Sequence, residues 1–209
     1  MTETTPLTTT RQSLHAVAEL VLAGVQYDAC GRIALRVSPG GFATRFEPDL
    51  RVEGTDLVGG FGRISMDRLT PHQLCAAAGL PVVSLAEVYT DGAVYGPDDV
   101  LSVDPTAAAV IADAWACGQE ALRTVAPDVD PVLWPEHFDV GITVDEINLG
   151  VSPGDAFLDV PYAYVGPWTV PADDPFFDAP FGAARALTDL GGVTEVSAFF
   201  SEGLRRARS

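Results

Sequence analysis

Apolar residues recur at helical spacing near the start of the chain: Leu14, Val17, Ala18, Val21, Leu22 and Val25. This period predicts a first helix over Arg11 to Ala23, with Gly24 as its stop. The pattern then switches to alternation. In RIALRV, Ile33, Leu35 and Val37 fall on one face, and Arg32 and Arg36 on the other. SPGG reads as a turn, and FATRF and DLRVEGTDLV continue as short strands of an antiparallel meander.

A second helix is announced by LTPHQLCAAAG. Thr70 caps it, Pro71 takes the first helical position, Gln73 completes a capping box and Gly79 ends it. Leu69 and Leu74 have the spacing of a hydrophobic staple. Short strands are expected at Ser84 to Tyr89 and Val100 to Val103, with a turn at Asp91-Gly92. The third helix is the longest, capped by Asp104, opened by Pro105 and closed by Pro127. Its stripe (Val110, Ile111, Ala114, Trp115, Gly118, Ala121, Leu122, Val125) suits a helix that covers a sheet. HFDVGITVDEINLGV reads as two strands around Asp145-Glu146, and PYAYVGPWTV as another. Two helices near Gly182–Leu190 and Thr194–Arg208 close the chain, with Arg205, Arg206 and Arg208 at the negative end of the last.

Strands and helices do not alternate one for one, which excludes a doubly wound Rossmann pattern. The expected fold is α+β, an antiparallel sheet with helices packed mainly on one face. It forms one domain over residues 11–209 behind a disordered tail, 1–10. An echo runs through the chain: IALRVSPGG at Ile33–Gly41 and INLGVSPGD at Ile147–Asp155 share I-x-L-x-V-S-P-G. Duplication, with halves 11–103 and 104–209, would explain it; so would a strand–turn unit used twice.

Composition narrows the function. The chain has 209 residues, 12 basic against 29 acidic, and a net charge of −17; every basic residue outside histidine is arginine. Such a surface repels phosphate backbones and anionic membranes, so neither nucleic acid nor a membrane is expected as a partner. Without lysine there is no Schiff base to pyridoxal phosphate and no Walker A motif. MTETTPLTTT has neither the basic nor the apolar region of a signal peptide, and no apolar run reaches the roughly 18–20 residues of a membrane span. Cys30, Cys75 and Cys117 suggest no disulfide framework or zinc site. A cytoplasmic protein fits. No cofactor and no metal are called for, and a homodimer is compatible with the composition.

Between Arg123 and Arg185 there is no basic residue but histidine, while acids and aromatics gather there: Trp134, Phe138, Asp139, Asp145, Asp155, Phe157, Tyr162, Tyr164, Trp168 and Phe181 among them. Two sites follow from this region. GVSPG, Gly150–Gly154, matches the G-x-S-x-G of hydrolase nucleophiles. Pro153, however, has no N–H for an oxyanion hole, no histidine follows His137, and DAFLDVPY is not helical, so Ser152 is not a nucleophile. The better candidate is WPEHFDVGITVDE. As a strand it would put His137, Asp139, Gly141, Thr143 and Asp145 on one face, with Phe138, Val140, Ile142 and Val144 against the third helix. His137 would be the acid/base, Asp139 its orienter, and Tyr162 or Tyr164 the polarising hydroxyl, with Tyr162, Trp134, Asn148 and Trp168 lining the pocket. The reaction would be non-redox: isomerase, lyase or hydrolase. The alternative is a protein-binding face over residues 134–181. Separately, Arg32, Arg36, Arg45 and Arg51 suit either an anionic ligand or ion pairs with the surplus acids.

LWPEHFD, GVSPGD and PYAYVGPW, with RVSPGGF and LRVEGTDLV, resemble strings of a family of uncharacterised proteins from high-GC actinobacteria. The resemblance covers most of the chain and implies a bacterial cytosolic protein. It carries no activity and no catalytic residue.

Overall fold

A computed structural model of the chain describes residues 5–90 and 92–209. Two compact units are distinguished, Met1–Asp113 with Leu133–Phe138, and Ala114–Val132 with Asp139–Ser209. The division falls ten residues or so beyond the expected boundary at 103/104, and Leu133–Phe138 returns to the first unit. Both units combine antiparallel strands with helices, and the fold is α+β.

The first unit opens with a helix that begins at Pro6, earlier than the apolar stripe indicates. Thr5 caps it, its side chain accepting from the Thr8 N–H, so residues 6–10 are helix rather than tail. Gly24 does not end it. Helix α1 (Pro6–Ala16) passes through a π-helical segment, Val17–Ala23, into α2 (Gly24–Cys30), and Gly31 stops it in the left-handed conformation at φ 70°. Gly24 serves close packing instead: a Cβ there would sit 2.7 Å from the Val83 carbonyl oxygen.

The meander follows as expected. Strands β1 (Leu35–Ser38), β2 (Gly41–Thr44), β3 (Arg51–Glu53), β4 (Asp56–Gly59) and β5 (Gly62–Ser65) pair in sequence. Ser38 pairs with Gly41 across Pro39-Gly40, and Gly40 at φ 74° supplies the positive φ of a type II turn. Leu133 of β6 (Val132–Trp134) pairs with Leu35. Helix α3 (Pro71–Ala78) carries the expected capping box: Gln73 N–H donates to Thr70 Oγ1 at 3.2 Å and Thr70 N–H to Gln73 Oε1 at 3.0 Å.

The strands expected at 84–89 and 100–103 do not form. Val88 and Tyr89 N–H both donate to Leu85 O, which curls that segment into a turn. In the second segment Ser102 N–H donates to Ser13 Oγ at 3.0 Å and Asp104 N–H to Thr10 Oγ1 at 2.9 Å. Hydroxyls of α1 thus take these two donors, and Leu101 N–H goes to Leu69 O at 2.8 Å, so no strand ladder forms there. The expected turn at Asp91-Gly92 includes a residue outside those described.

Helix α4 (Pro105–Val125) starts as its sequence signals, with Asp104 Oδ1 accepting from Ala107 N–H at 2.8 Å. In the second unit, β7 (Asp139–Val144), β8 (Ile147–Ser152) and β9 (Tyr162–Pro167) form an antiparallel run with β10 (Ala183–Ala186) at its edge. Asp145 and Glu146, at φ 49° and 64°, make the two-residue turn between β7 and β8. Residues 183–186 were expected in a helix; they extend instead, paired with β9, and only Leu187–Leu190 (α5) is helical before α6 (Val193–Ala207).

The register settles which face is covered. Val140 pairs with Val151, and Leu149 with both Ile142 and Val165, so these side chains share a face. Gly118 of α4 packs on Val151 and Gly203 of α6 on Val165. Both helices cover the same face, as an α+β arrangement requires. The echo is used differently at its two sites. The first VSPG closes a tight hairpin, whereas the second opens the long loop 153–161, in which Ser152 Oγ accepts from Gly154 N–H at 3.1 Å.

A Cβ at position 118 would lie 2.6 Å from Val151 Cγ2 and 2.7 Å from its Cβ. Gly118→Ala is therefore expected to destabilise the second unit by about 1–3 kcal/mol despite alanine's better helix propensity. Urea denaturation checks this, and adding Val151→Ala should recover part of the loss.

Candidate functional site

The strand face opposite α4 and α6 holds much of the expected constellation. Asp139, Gly141 and Thr143 on β7 lie beside Asn148, Gly150 and Ser152 on β8, and Tyr162 and Tyr164 on β9. Tyr164 donates its hydroxyl to Asp139 Oδ2, and Tyr162 donates to Asp155 Oδ2 at 2.5 Å. Thr143 donates to Asn148 Oδ1 at 2.8 Å. Burial, then the charge of Asp139, push the Tyr164 phenol well above its ordinary pKa, and burial does the same to Tyr162. Both stay protonated donors.

This cluster is packed rather than open. The Tyr164 ring lies over Gly141 and Gly150, where a Cβ would approach its hydroxyl oxygen to 3.1 and 2.5 Å. An aromatic laid over strand glycines fills the space a ligand would use. Asp139 is 7% exposed and already accepts from Tyr164.

His137 is not on that face. Phe138 takes φ 55° and its N–H donates to Trp134 O at 2.8 Å, so residues 134–138 turn and β7 begins only at Asp139. The expected adjacency of imidazole and carboxylate depended on extended backbone through Phe138, and a left-handed residue removes it. The His137 side chain is 62% exposed, its Nε2 3.5 Å from Glu136 Oε1. Phe138, expected against the third helix, packs edge-on to Phe42 at 5.6 Å and stacks on His15 at 5.0 Å. Asp145 lies in a turn, bound to Arg208 at 2.6 Å. Trp168 is 67% exposed beyond the end of β9.

Trp134 belongs to a different setting, in the first unit. It lines an open depression of about 780 Å³ together with Gly31, Arg32, Ile33, Ala34, Arg45 and Phe46. The Arg32 guanidinium lies 4.9 Å above the Phe46 ring. The walls are joined from below by Gln26, which is fully buried. Its Nε2 donates to Arg32 O at 2.7 Å and Ala34 O at 3.1 Å; its Oε1 accepts from Arg45 N–H at 2.8 Å and Phe46 N–H at 2.9 Å. Sequence reasoning passed over Gln26. The available signal was a lone polar residue one helical turn after Leu22, on an otherwise apolar stripe.

Of the other arginines expected to serve either a ligand or ion pairs, Arg51 pairs with Glu53, while Arg36 Nε donates to Thr44 O; Arg63, not among them, pairs with Glu53 and Asp56. The acidic segment is partly neutralised too, Asp178 by Arg185 and Asp174 by Arg206. Among the described residues no three His, Cys, Asp or Glu side chains group as metal ligands would, and no helix is long and apolar enough to cross a membrane.

No family model, no curated protein and no solved structure matches the chain.

Two outcomes follow. Tyr164→Phe deletes a hydrogen bond to a buried carboxylate and should cost about 1–3 kcal/mol in urea denaturation; a loss near zero would mean that the bond contributes nothing. His15, whose Nε2 is 2.7 Å from Pro135 O, has its pKa lowered to about 4, chiefly by burial. The unfolded chain takes up this proton near pH 6.5 and the folded chain only near 4, so the unfolded state binds more protons between them. Stability is full above about pH 6.5 and falls by up to roughly 3 kcal/mol as pH drops toward 4. His15→Gln should flatten that stretch of the stability–pH curve.

Proposed function

We propose that the protein is a small-molecule-binding protein and that its ligand occupies the depression between Arg32, Phe46 and Trp134. One observation carries this reading: a fully buried glutamine spends all four of its hydrogen bonds on holding the two walls of that depression at a fixed separation. A site that is preorganised loses little entropy on binding. Its volume, about 780 Å³, falls in the range of small-ligand sites, and its lining mixes aromatic rings with a few polar groups.

An acid–base enzyme built on His137, Asp139 and Tyr164 is not proposed, because the imidazole stands off the strand face and the tyrosine ring fills the space above it. The actinobacterial, cytosolic origin suggested by LWPEHFD and PYAYVGPW remains part of the proposal, without an activity attached.

A second reading is favoured by exposed apolar side chains in the second unit. Phe157, Phe181, Val160, Val170 and Trp168 are all substantially exposed, and the Phe157 ring contacts those of Phe181 and Tyr162. Such a patch suits a protein partner or a second copy of the chain.

Heteronuclear NMR on the full chain decides between them. Titration with a mixture of bacterial small metabolites is expected to shift the Trp134 indole resonance, assigned with Trp134→Phe, and the Phe46 amide. Shifts confined to Trp168 and Phe157 on raising the protein concentration, with Trp134 unmoved throughout, would favour the interaction face instead.

A further inference from the structure

We infer that the depression selects a small organic anion with a flat apolar body, Arg32 taking the charge and Trp134 and Phe46 the ring. The inference rests on the ligand-site reading above and adds the class of ligand.

The charge argument comes from the company each arginine keeps. Acidic residues outnumber basic ones 29 to 12, so a carboxylate partner is the ordinary fate of an arginine here. Arg51, Arg63, Arg185, Arg205, Arg206 and Arg208 all have one. Arg32 has none among the described residues. Its guanidinium is held over Phe46 instead, with its planar donor edge unspent on any acid. Arg36 also lacks a carboxylate there; its Nε donates to Thr44 O at 3.0 Å, next in sequence to Arg45. Arg45 lines the opposite wall. The Arg32 guanidinium, bonded to no acid among the described residues, presents the forked geometry that carboxylates and phosphates match.

The position within the depression follows from the helix beside it. Helix α2 ends at Cys30, and its carbonyl end is the negative pole. An anion is therefore drawn away from the backbone at the helix end and toward the Arg32 guanidinium over Phe46. The flat part of the ligand then meets Phe46 and Trp134, both more than a third exposed and able to stack. The net charge of −17 does not forbid this. At physiological ionic strength charges beyond about 8 Å are largely screened, so Arg32 beside the ligand outweighs the distant acids.

The test uses four probes of one shape: 2-naphthoate, 2-naphthyl phosphate, 2-naphthamide and 2-naphthylmethylammonium. Each is titrated by calorimetry into the full-length protein and into Arg32→Gln, Arg32→Lys and Trp134→Phe. Circular dichroism and urea midpoints verify that each variant is folded; Arg32 is exposed, so all should be. The expected result is that both anions bind about tenfold or more tightly than the amide, and the ammonium most weakly. The ratio of naphthoate to phosphate ester tells which anion the fork prefers. Arg32→Gln should abolish the preference for anions over the amide, Arg32→Lys should retain part of it, and Trp134→Phe should weaken all probes together. If the amide binds as tightly as the anions, or if Arg32→Gln leaves the ratio unchanged, the anion inference is overturned while the depression stands as a ligand site. If no probe binds at millimolar concentration, both fall.

Discussion

Gln26 sits at 0% exposure inside an apolar helix face, and its amide is the tie on which the first unit's candidate site depends. A primary amide offers two donors and one oxygen with two lone pairs, and here all are used, on four backbone groups from two separate segments. Those groups lie where β1 is about to begin and where β2 has just ended, positions whose backbone atoms have left the ladder. Without the amide they would be buried or half-buried polar atoms in need of water. The same constraint explains why the helix continues beyond Gly24. The chain must carry Gln26 one further turn, to the level of residues 32–34 and 45–46, before Gly31 releases it. The π-helical segment Val17–Ala23 lies on the way, and every residue in it is buried. It also presents Glu19, which accepts from Ala93 N–H at 2.6 Å and whose pKa is raised by burial.

What could be read from the sequence was whatever local chemistry alone decides. Thr70, Pro71, Gln73 and Gly79 fix α3 without help from any distant residue, and Pro39-Gly40 and Asp145-Glu146 fix two hairpins in the same way. The third helix was legible from Asp104 to Val125 because its cap and its stripe agree. What could not be read was decided at a distance. The segment 100–104 has strand composition, yet Ser13 and Thr10 take the Ser102 and Asp104 donors, and Leu101 bonds to the turn before α3 instead of to a strand. Residues 183–186, Ala-Ala-Arg-Ala, are strong helix formers, yet they are made into an edge strand by the open side of β9. Gly24 looks like a helix stop because close packing against Val83 and a stop both call for glycine.

The candidate site divides along the same line. The face shared by Asp139, Asn148, Tyr162 and Tyr164 was legible, since period-2 alternation survives in β7, β8 and β9. The role of that face was not. Alternation puts Gly141 on the face of Asp139, but only the cross-strand register sets Gly150 beside it and brings the Tyr164 ring over both. His137 was lost to one dihedral angle: an aromatic residue at φ 55° has no sequence signature, because glycine or asparagine would be the expected occupant. The angle is sustained by what it gains. Turning Phe138 places its ring against Phe42 and His15, where it is 1% exposed, and burial of a phenylalanine is worth about 1.5–3 kcal/mol, comparable to the strain of a left-handed residue.

The arginines show how the same surplus of acid can accompany either a neutralised surface or an arginine without a carboxylate partner. Where neighbouring strands or helical turns bring an arginine onto a carboxylate the fork is occupied, as with Arg63 between Glu53 and Asp56, or Arg206 with Glu202, a pair that Asp174 joins. Exposed pairs of this kind add little stability but occupy the donor fork. Arg32 escapes because of its place in the chain rather than any shortage of acids. It follows the helix stop at Gly31 and precedes β1, so no registered strand sets a carboxylate opposite it, and Gln26 holds its backbone while Phe46 holds its guanidinium. An arginine anchored at both ends by uncharged groups keeps its charge available in a fixed direction. In a chain this acidic, that combination requires local structure to maintain, and the buried amide beneath it is the part of the structure that does so.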